Sequence, residues 1–250
     1  MSRIIPSLVA HRGYAYQYPE NSLLAIRAAI EAGARYVEFD VLMTSDHVPV
    51  LFHDRDLKRM CGITGAVHDL TLAQLKELSV SQPETFGDRF ADNRITTLEE
   101  ITAYLATCSE VTAFVELKRQ ALDAHGIGLF LDKTLPLLQP IMQQVVIISY
   151  SIEALLFVQQ RSDNPLAAVF DDWQQRNDPL IRQLAPRYMF TDIENLPESG
   201  PLMIPGCILG VYECTDPNQA LEVAGRGVEL VETFRFPEMM EALNKMVLHP

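Results

Sequence analysis

Short apolar, β-branched runs alternate along this chain with longer runs whose apolar residues recur at helical spacing. The first extended run is 8–10. Residues 21–32 follow, with Leu23, Leu24, Ile26, Ala29 and Ile30 near a helical period and Gly33 as a stop, which predicts a helix. Residues 36–42 predict a strand, and 48–52 a second extended run after the turn-like Ser45, Asp46 and His47. The rhythm then breaks. The segment at about 54–95 holds little strand signal, one short helix over 71–78 and polar, glycine-containing turns, so it predicts a small insertion of loops and short helices. Thr97 with Glu100 three residues later is a capping-box pattern opening a helix to about residue 106. Strands are predicted again at 111–117, 144–149, 166–170, 187–190, 207–212 and 228–231. Helical runs lie between most of them, for example at 152–160, 218–225 and 237–247.

Strands alternating with helices predict a parallel sheet. With 48–52 set aside as a hairpin partner, the chain divides into eight strand–helix units in 250 residues. That count predicts an α/β fold of the closed (β/α)8 or TIM-barrel type, one domain over 1–250, with its insertion after the second strand. An open doubly wound sheet is the structural alternative.

Composition narrows the function. The chain is 48% hydrophobic and 21% charged, a globular balance, and its formal net charge is -13. An acidic surface repels nucleic-acid backbones, so nonspecific nucleic-acid binding is excluded as a main role. The same field repels any anionic substrate, so a site for one needs a local cation or basic side chains. Cys61, Cys108, Cys207 and Cys214 form no C-x-x-C pair and read as free thiols, buried or half-buried. The first residues show no basic head, long apolar stretch or cleavage site, and no apolar run approaches the roughly 20 residues of a membrane span. A cytoplasmic location without stable membrane insertion is the expectation.

Polar residues cluster at the ends of the early apolar runs, where a (β/α)8 barrel carries its active site. Run 8–10 ends in His11, Arg12 and Gly13; 36–42 contains Glu38 and Asp40; 48–52 ends in His53 and Asp54; 111–117 ends in Glu116, Leu117 and Lys118. Glu38 and Asp40 stand two apart on a strand and share its inward face, while Val37 and Phe39 face the helices. Two inward carboxylates are costly unless a cation lies between them or one stays protonated. A pair of solvent-facing acids on an edge strand is the alternative. Glu116 and Lys118 repeat the same-face spacing on the next barrel strand. Three oxygen donors from neighbouring strands suit one Mg²⁺ or Ca²⁺ better than Zn²⁺. His11 and His53 are candidates for an acid–base pair or for metal ligands. His47, His68, His125 and His249 sit in turns, polar segments or the tail. Arg12 and Lys118 are candidate phosphate clamps, although Arg12 could instead pair with Glu20 or Asp54.

Taken in order, His11-Arg12-Gly13, Pro19-Glu20-Asn21-Ser22, Glu38-x-Asp40-Val41, Val48-Pro49-Val50-x-Phe52-His53-Asp54 and Glu116-Leu117-Lys118 resemble the signature of the glycerophosphodiester phosphodiesterase family. Gly65-x-Val67-x-Asp69-Leu70-Thr71 and Thr96-Thr97-Leu98-Glu99-Glu100 resemble that family's insertion. The resemblance implies metal-dependent cleavage of a small glycerophosphodiester to glycerol 3-phosphate and an alcohol. It implies that Glu38, Asp40 and Glu116 hold a divalent metal, Mg²⁺ or Ca²⁺; that His11 and His53 are the acid–base pair; and that Arg12 and Lys118 contact the phosphate. Glu20 and Asn21 would support the site floor or orient its polar groups. In the family picture a glycerol hydroxyl of the substrate attacks phosphorus, and water opens the resulting cyclic phosphate.

The C-terminal half departs from the family pattern. Val211-Tyr212-Glu213-Cys214-Thr215-Asp216 stands where a Trp-Thr-Val-Asn run is usual, and Gly227-Val228-Glu229-Leu230-Val231-Glu232-Thr233-Phe234 where the usual run ends Thr-Asp-x-Pro. An altered alcohol preference is the expectation. Tyr150, Trp173 and Tyr212 are candidate pocket walls, with core packing the alternative for Trp173, and Glu213 and Glu232 are candidates for attracting a cationic head group or plain surface acids. Two other functions are compatible with the same motifs. A phospholipase-type enzyme would need an apolar or basic rim. A non-catalytic glycerol-phosphate-binding module would need no turnover.

Overall fold

The computed structural model describes residues 4–248. Eight parallel strands form its centre: β1 (Ser7–Ala10), β2 (Tyr36–Met43), β4 (Thr112–Leu117), β5 (Val145–Ser149), β6 (Leu166–Phe170), β7 (Tyr188–Asp192), β8 (Ile208–Tyr212) and β9 (Leu230–Thr233). The short β3 (Pro49–Leu51) lies antiparallel on β2, as the hairpin reading expected. β1 pairs on one side with β2 and on the other with β9, so the ring closes. The (β/α)8 barrel is therefore the fold, and the open-sheet alternative is excluded.

Period-two alternation decides what each strand turns inward. Val37, Phe39 and Val41 of β2 join the large outer core between strands and helices. The barrel interior is filled by Val9, Phe114, Val146, Ile148, Ala167, Val169, Tyr188, Phe190 and Leu230. Gly210 on β8 makes room for this layer: a Cβ there would stand 2.2 Å from the Phe190 ring. Above the apolar layer, toward the C-terminal strand ends, the inward residues turn polar. Asp40 lies beside Glu116 in register, and Glu38 beside Phe114.

Helices cover the outside. Ser22 caps Leu23–Glu31, its hydroxyl accepting from the Ala25 N–H at 3.0 Å. Thr97 and Glu100 form the expected capping box of Leu98–Leu105, with reciprocal bonds of 3.1 and 2.7 Å. The segment between β3 and β4 holds the expected helix, Leu72–Glu77, and also the single turns Lys58–Cys61 and Pro83–Phe86. A four-residue turn shows no readable period, which is why the sequence pattern did not reveal these two. Among the described residues no helix is long and apolar enough to cross a membrane. All four cysteines are free, with Cys214 buried and the other three half-buried.

Candidate active site

The loop after β1 brings the first site residues together. Gly13 has φ +83°, and a Cβ on it would lie 2.5 Å from the backbone of Ala25. This close approach seats the His11–Arg12 turn against the start of the helix Leu23–Glu31. Arg12 and Asn21 both adopt left-handed backbone, with φ of 55° and 53°, a conformation that costs a non-glycine residue energy and persists where surrounding bonds hold it. Here the Asn21 N–H donates to the Arg12 carbonyl at 3.1 Å. The Asn21 amide then donates to Asp40 Oδ2 at 2.7 Å and accepts from the Asp40 N–H at 2.9 Å. Asn21 thus ties the first loop to β2.

Glu38, Asp40 and Glu116 converge so that one oxygen from each lies within 4.8 Å of the others. Glu38 and Asp40 are each 1% exposed, which rules out the solvent-facing reading. Of their cationic neighbours, Lys118 is buried and Arg12 half-buried. Lys118 Nζ stands 3.1 Å from Asp40 Oδ1 and 3.0 Å from Glu116 Oε1. The Arg12 guanidinium reaches Glu20 Oε1 at 3.0 Å and Asp40 Oδ2 at 3.1 Å, and the backbone N–H of Arg12 donates to Glu38 Oε2 at 3.1 Å. Of the two acids suggested as alternative partners for Arg12, Glu20 is the one it meets. The contact with Asp40 was not expected.

These charges separate the carboxyls. Burial pushes Asp40 up, but Lys118 and Arg12 outweigh it and hold the group well below the usual carboxylate range. Glu38 has no such excess of cations. Burial and the neighbouring Asp40, Glu232 and Glu116 push it well above its ordinary value. Glu116 is raised by burial and by Asp40 despite Lys118. Glu38 Oε1 and Asp40 Oδ1 are buried without a hydrogen bond; at Asp40 the ammonium is close but not aligned as a donor. Hard oxygen donors left short of partners in a shared space fit a divalent cation.

The histidines complete the mouth. His53 Nδ1 is 2.7 Å from Asp54 Oδ1. His11 Nδ1 is 2.6 Å from Glu213 Oε2, and its Nε2 lies 3.7 Å from both Glu38 Oε2 and Glu232 Oε2. Burial pulls the His11 pKa down, but Glu232 and Glu213 raise it above the ordinary value. His11, Arg12, Glu38, His53, Glu116 and Lys118 line one chamber of about 130 Å³, together with Ile148, Tyr150, Val169, Tyr212 and Glu232. A larger hollow, of about 530 Å³ around Ile4, Met203 and Val228, gathers no comparable set of charges. Among the remaining histidines, His125 and His47 contact each other away from the chamber, and His249 lies outside the described residues.

Several assignments change with the structure. Trp173 does not line the chamber; it packs by Phe170 and under Arg176, as the core-packing alternative had it. Tyr150 and Tyr212 do line it, joined by their hydroxyls. Glu232 is no surface acid. It is 3% exposed inside the barrel, and burial first, then Glu213, Glu116 and Asp40, push its carboxyl up to about 7 against the pull of His11. The sequence reading missed Arg59. Its guanidinium binds both oxygens of Glu20, at 2.8 and 2.7 Å, and both of Asp54, at 2.7 and 3.0 Å, so the insertion is tied to the mouth. Arg59 lies in a polar segment with no distinguishing pattern, and only the three-dimensional approach reveals it.

Comparison with known proteins points to one family. Rat glycerophosphodiester phosphodiesterase 1 is 41% identical over 116 residues, 46% of this chain and 34% of that protein. The glycerophosphodiester phosphodiesterase of Caldanaerobacter subterraneus is 39% identical over 94 residues, 38% of each. The matched stretches thus span well under two thirds of either relative. A phosphodiesterase structure from Oleispira antarctica, in complex with the product sn-glycerol-3-phosphate, superposes with a TM-score of 0.81 at 21% identity, covering 96% of this chain and 97% of that one. The sequence model of the glycerophosphoryl diester phosphodiesterase family matches residues 11–200, from the first histidine of the mouth to beyond β7, and the chain belongs to that enzyme family.

Proposed function

We propose that this protein hydrolyses small glycerophosphodiesters to glycerol 3-phosphate and an alcohol. One observation carries the reading: two histidines, an arginine, a lysine and the carboxylates Glu38 and Glu116 border a single chamber of about 130 Å³, and Asp40 completes a cluster of three acids with these two. That combination serves phosphoryl chemistry, where positioning and charge stabilisation do most of the work.

In this reading Glu38, Asp40 and Glu116 hold one divalent cation, Mg²⁺ or Ca²⁺. When bound, it polarises a phosphoryl oxygen as a Lewis acid. Arg12 and Lys118 face the other phosphate oxygens, and Glu20 and Asn21 keep Arg12 and Asp40 in place. The substrate's glycerol hydroxyl attacks phosphorus as one histidine takes its proton, and the other histidine protonates the departing alcohol. Water then opens the cyclic phosphate with the proton transfers reversed. The described residues at the mouth offer no serine or cysteine for a covalent intermediate, which supports attack by the substrate's own hydroxyl.

The test is release of glycerol 3-phosphate from glycerophosphocholine and glycerophosphoethanolamine with Mg²⁺, with Ca²⁺ and with EDTA. Release that requires the cation is the expected result. No release from either diester under any of these conditions would overturn the proposal.

A further inference from the structure

We propose that Glu213 is the positioning residue of His11, fixing the imidazole so that Nε2 is the nitrogen presented to the phosphate. The inference rests on the phosphodiesterase reading above and adds a residue from the half of the chain that departs from the family pattern.

Three contacts carry it. The first is the 2.6 Å approach of Glu213 Oε2 to His11 Nδ1. A carboxylate only accepts hydrogen bonds, so the neutral ring must carry its proton on Nδ1 and turn the lone pair of Nε2 into the chamber. The second is the anchor of Glu213 itself: its Oε1 accepts from the Phe234 N–H at 3.2 Å. Both oxygens are thereby engaged within the fold, which leaves Glu213 poorly suited to attract a head group. The third is the Phe234 ring, which stacks on His11 with centroids 4.7 Å apart and planes within 10°. The carboxylate fixes which nitrogen points where, and the stacked ring fixes the plane. On the chamber side Nε2 has no partner closer than 3.7 Å, so it stays open to substrate. His53 has the same kind of support in Asp54, at 2.7 Å from its Nδ1. The two candidate proton carriers are thus each held through Nδ1 by an acid.

The test combines a spectroscopic and a kinetic readout. In ¹⁵N-histidine-labelled protein, at a pH where the ring is neutral, the His11 signal is identified by its loss in His11→Asn. The expected wild-type spectrum shows Nδ1 protonated and Nε2 bare, and Glu213→Ala loses that fixed tautomer. Glu213→Ala should also lower kcat by roughly 10- to 100-fold with little change in KM, as loss of an orienting partner does. Glu213→Gln, which keeps an acceptor oxygen, should recover part of the loss. A wild-type His11 protonated on Nε2, or Glu213→Ala with unchanged kcat, would overturn the proposal. A wild type inactive on every glycerophosphodiester would sink the functional reading instead, while the spectrum would still decide the tautomer.

Discussion

Lys118 and Asp40 form an ion pair of 3.1 Å with both side chains almost wholly inside the protein. The ammonium also reaches Glu116, so it lies against two of the three carboxylates assigned here to a metal. Removing one partner of a buried pair leaves the other charge uncompensated, at a cost of about 3–5 kcal/mol. Lys118→Ala is therefore expected to lower stability in EDTA by about that amount. A divalent cation should restore part of it, because it supplies charge to the same oxygens. Thermal melts with and without Mg²⁺ or Ca²⁺ check this; a variant as stable as the wild type in EDTA would contradict it.

Glu38 gives the converse experiment. Its carboxyl is buried against like charges, and Oε1 has no hydrogen bond. Glu38→Gln keeps the shape and removes the charge. In EDTA at mildly alkaline pH the variant should be at least as stable as the wild type. Added cation should raise the Tm of the wild type much more than that of Glu38→Gln. Equal shifts in the two proteins would remove Glu38 from the metal site.

His11 and His53 should both be required for turnover. His11→Ala and His53→Ala are each expected to reduce kcat/KM by roughly a hundred- to ten-thousand-fold. Far-ultraviolet circular dichroism should be unchanged. Near-normal rates in either variant would withdraw that histidine from the acid–base pair.

The insertion is held by an acid-sensitive contact. Burial pushes Asp54 up, but hydrogen bonds from His53 and Arg59 hold its carboxyl well below the usual value. A carboxyl depressed in the folded state contributes stability above its unfolded-state pKa, and this is lost as pH falls toward the folded value. Wild-type stability should therefore fall as pH drops below the ordinary carboxylate range. Asp54→Asn should flatten that fall, and urea unfolding across the acidic range measures both. Equal slopes for the two proteins would count against the link.

Gly13 makes a prediction about backbone alone. A side chain there is strained by φ +83° and meets main-chain atoms of Ala25, which cannot swing aside. At Gly210 the obstacle is a side chain, the Phe190 ring, and the backbone there has no positive φ to add strain. Gly13→Ala should thus cost more stability than the roughly 1–3 kcal/mol typical of an overpacked core site. It should also depress activity through His11 and Arg12. Denaturant unfolding of Gly13→Ala with wild-type stability would refute the steric account.

Much of the fold was legible from alternation. In β2 the order Val37, Glu38, Phe39, Asp40, Val41 declares one face apolar and the other acidic, and the barrel uses it that way. Strand ends carry side chains whose direction follows from the strand itself, so the early half of the site could be assembled on paper. Contacts set by ring closure could not. His11 and Glu213 are 202 positions apart, and no local pattern links them. Arg59 belongs to a single helical turn, and its reach to Glu20 depends on how the insertion folds back. For Glu232 the sequence left a head-group contact and a surface position both open, because one charged residue in a short strand carries no sign of which way it points.

The pairing of β1 with β9 also has a meaning in time. The His11 N–H donates to the Thr233 carbonyl at 3.1 Å, and Ala10 sits beside Thr233 in the ladder. The three carboxylates, Arg12 and Lys118 have all been synthesised by Lys118, but the frame around His11 awaits the last strand. A nascent chain halted before Leu230 has the three acids proposed to hold the cation and lacks both the wall and the backbone that seat its histidine. Catalytic competence would then arrive abruptly, with the final pairing of the ring, and activity would serve as a clock for the completion of folding.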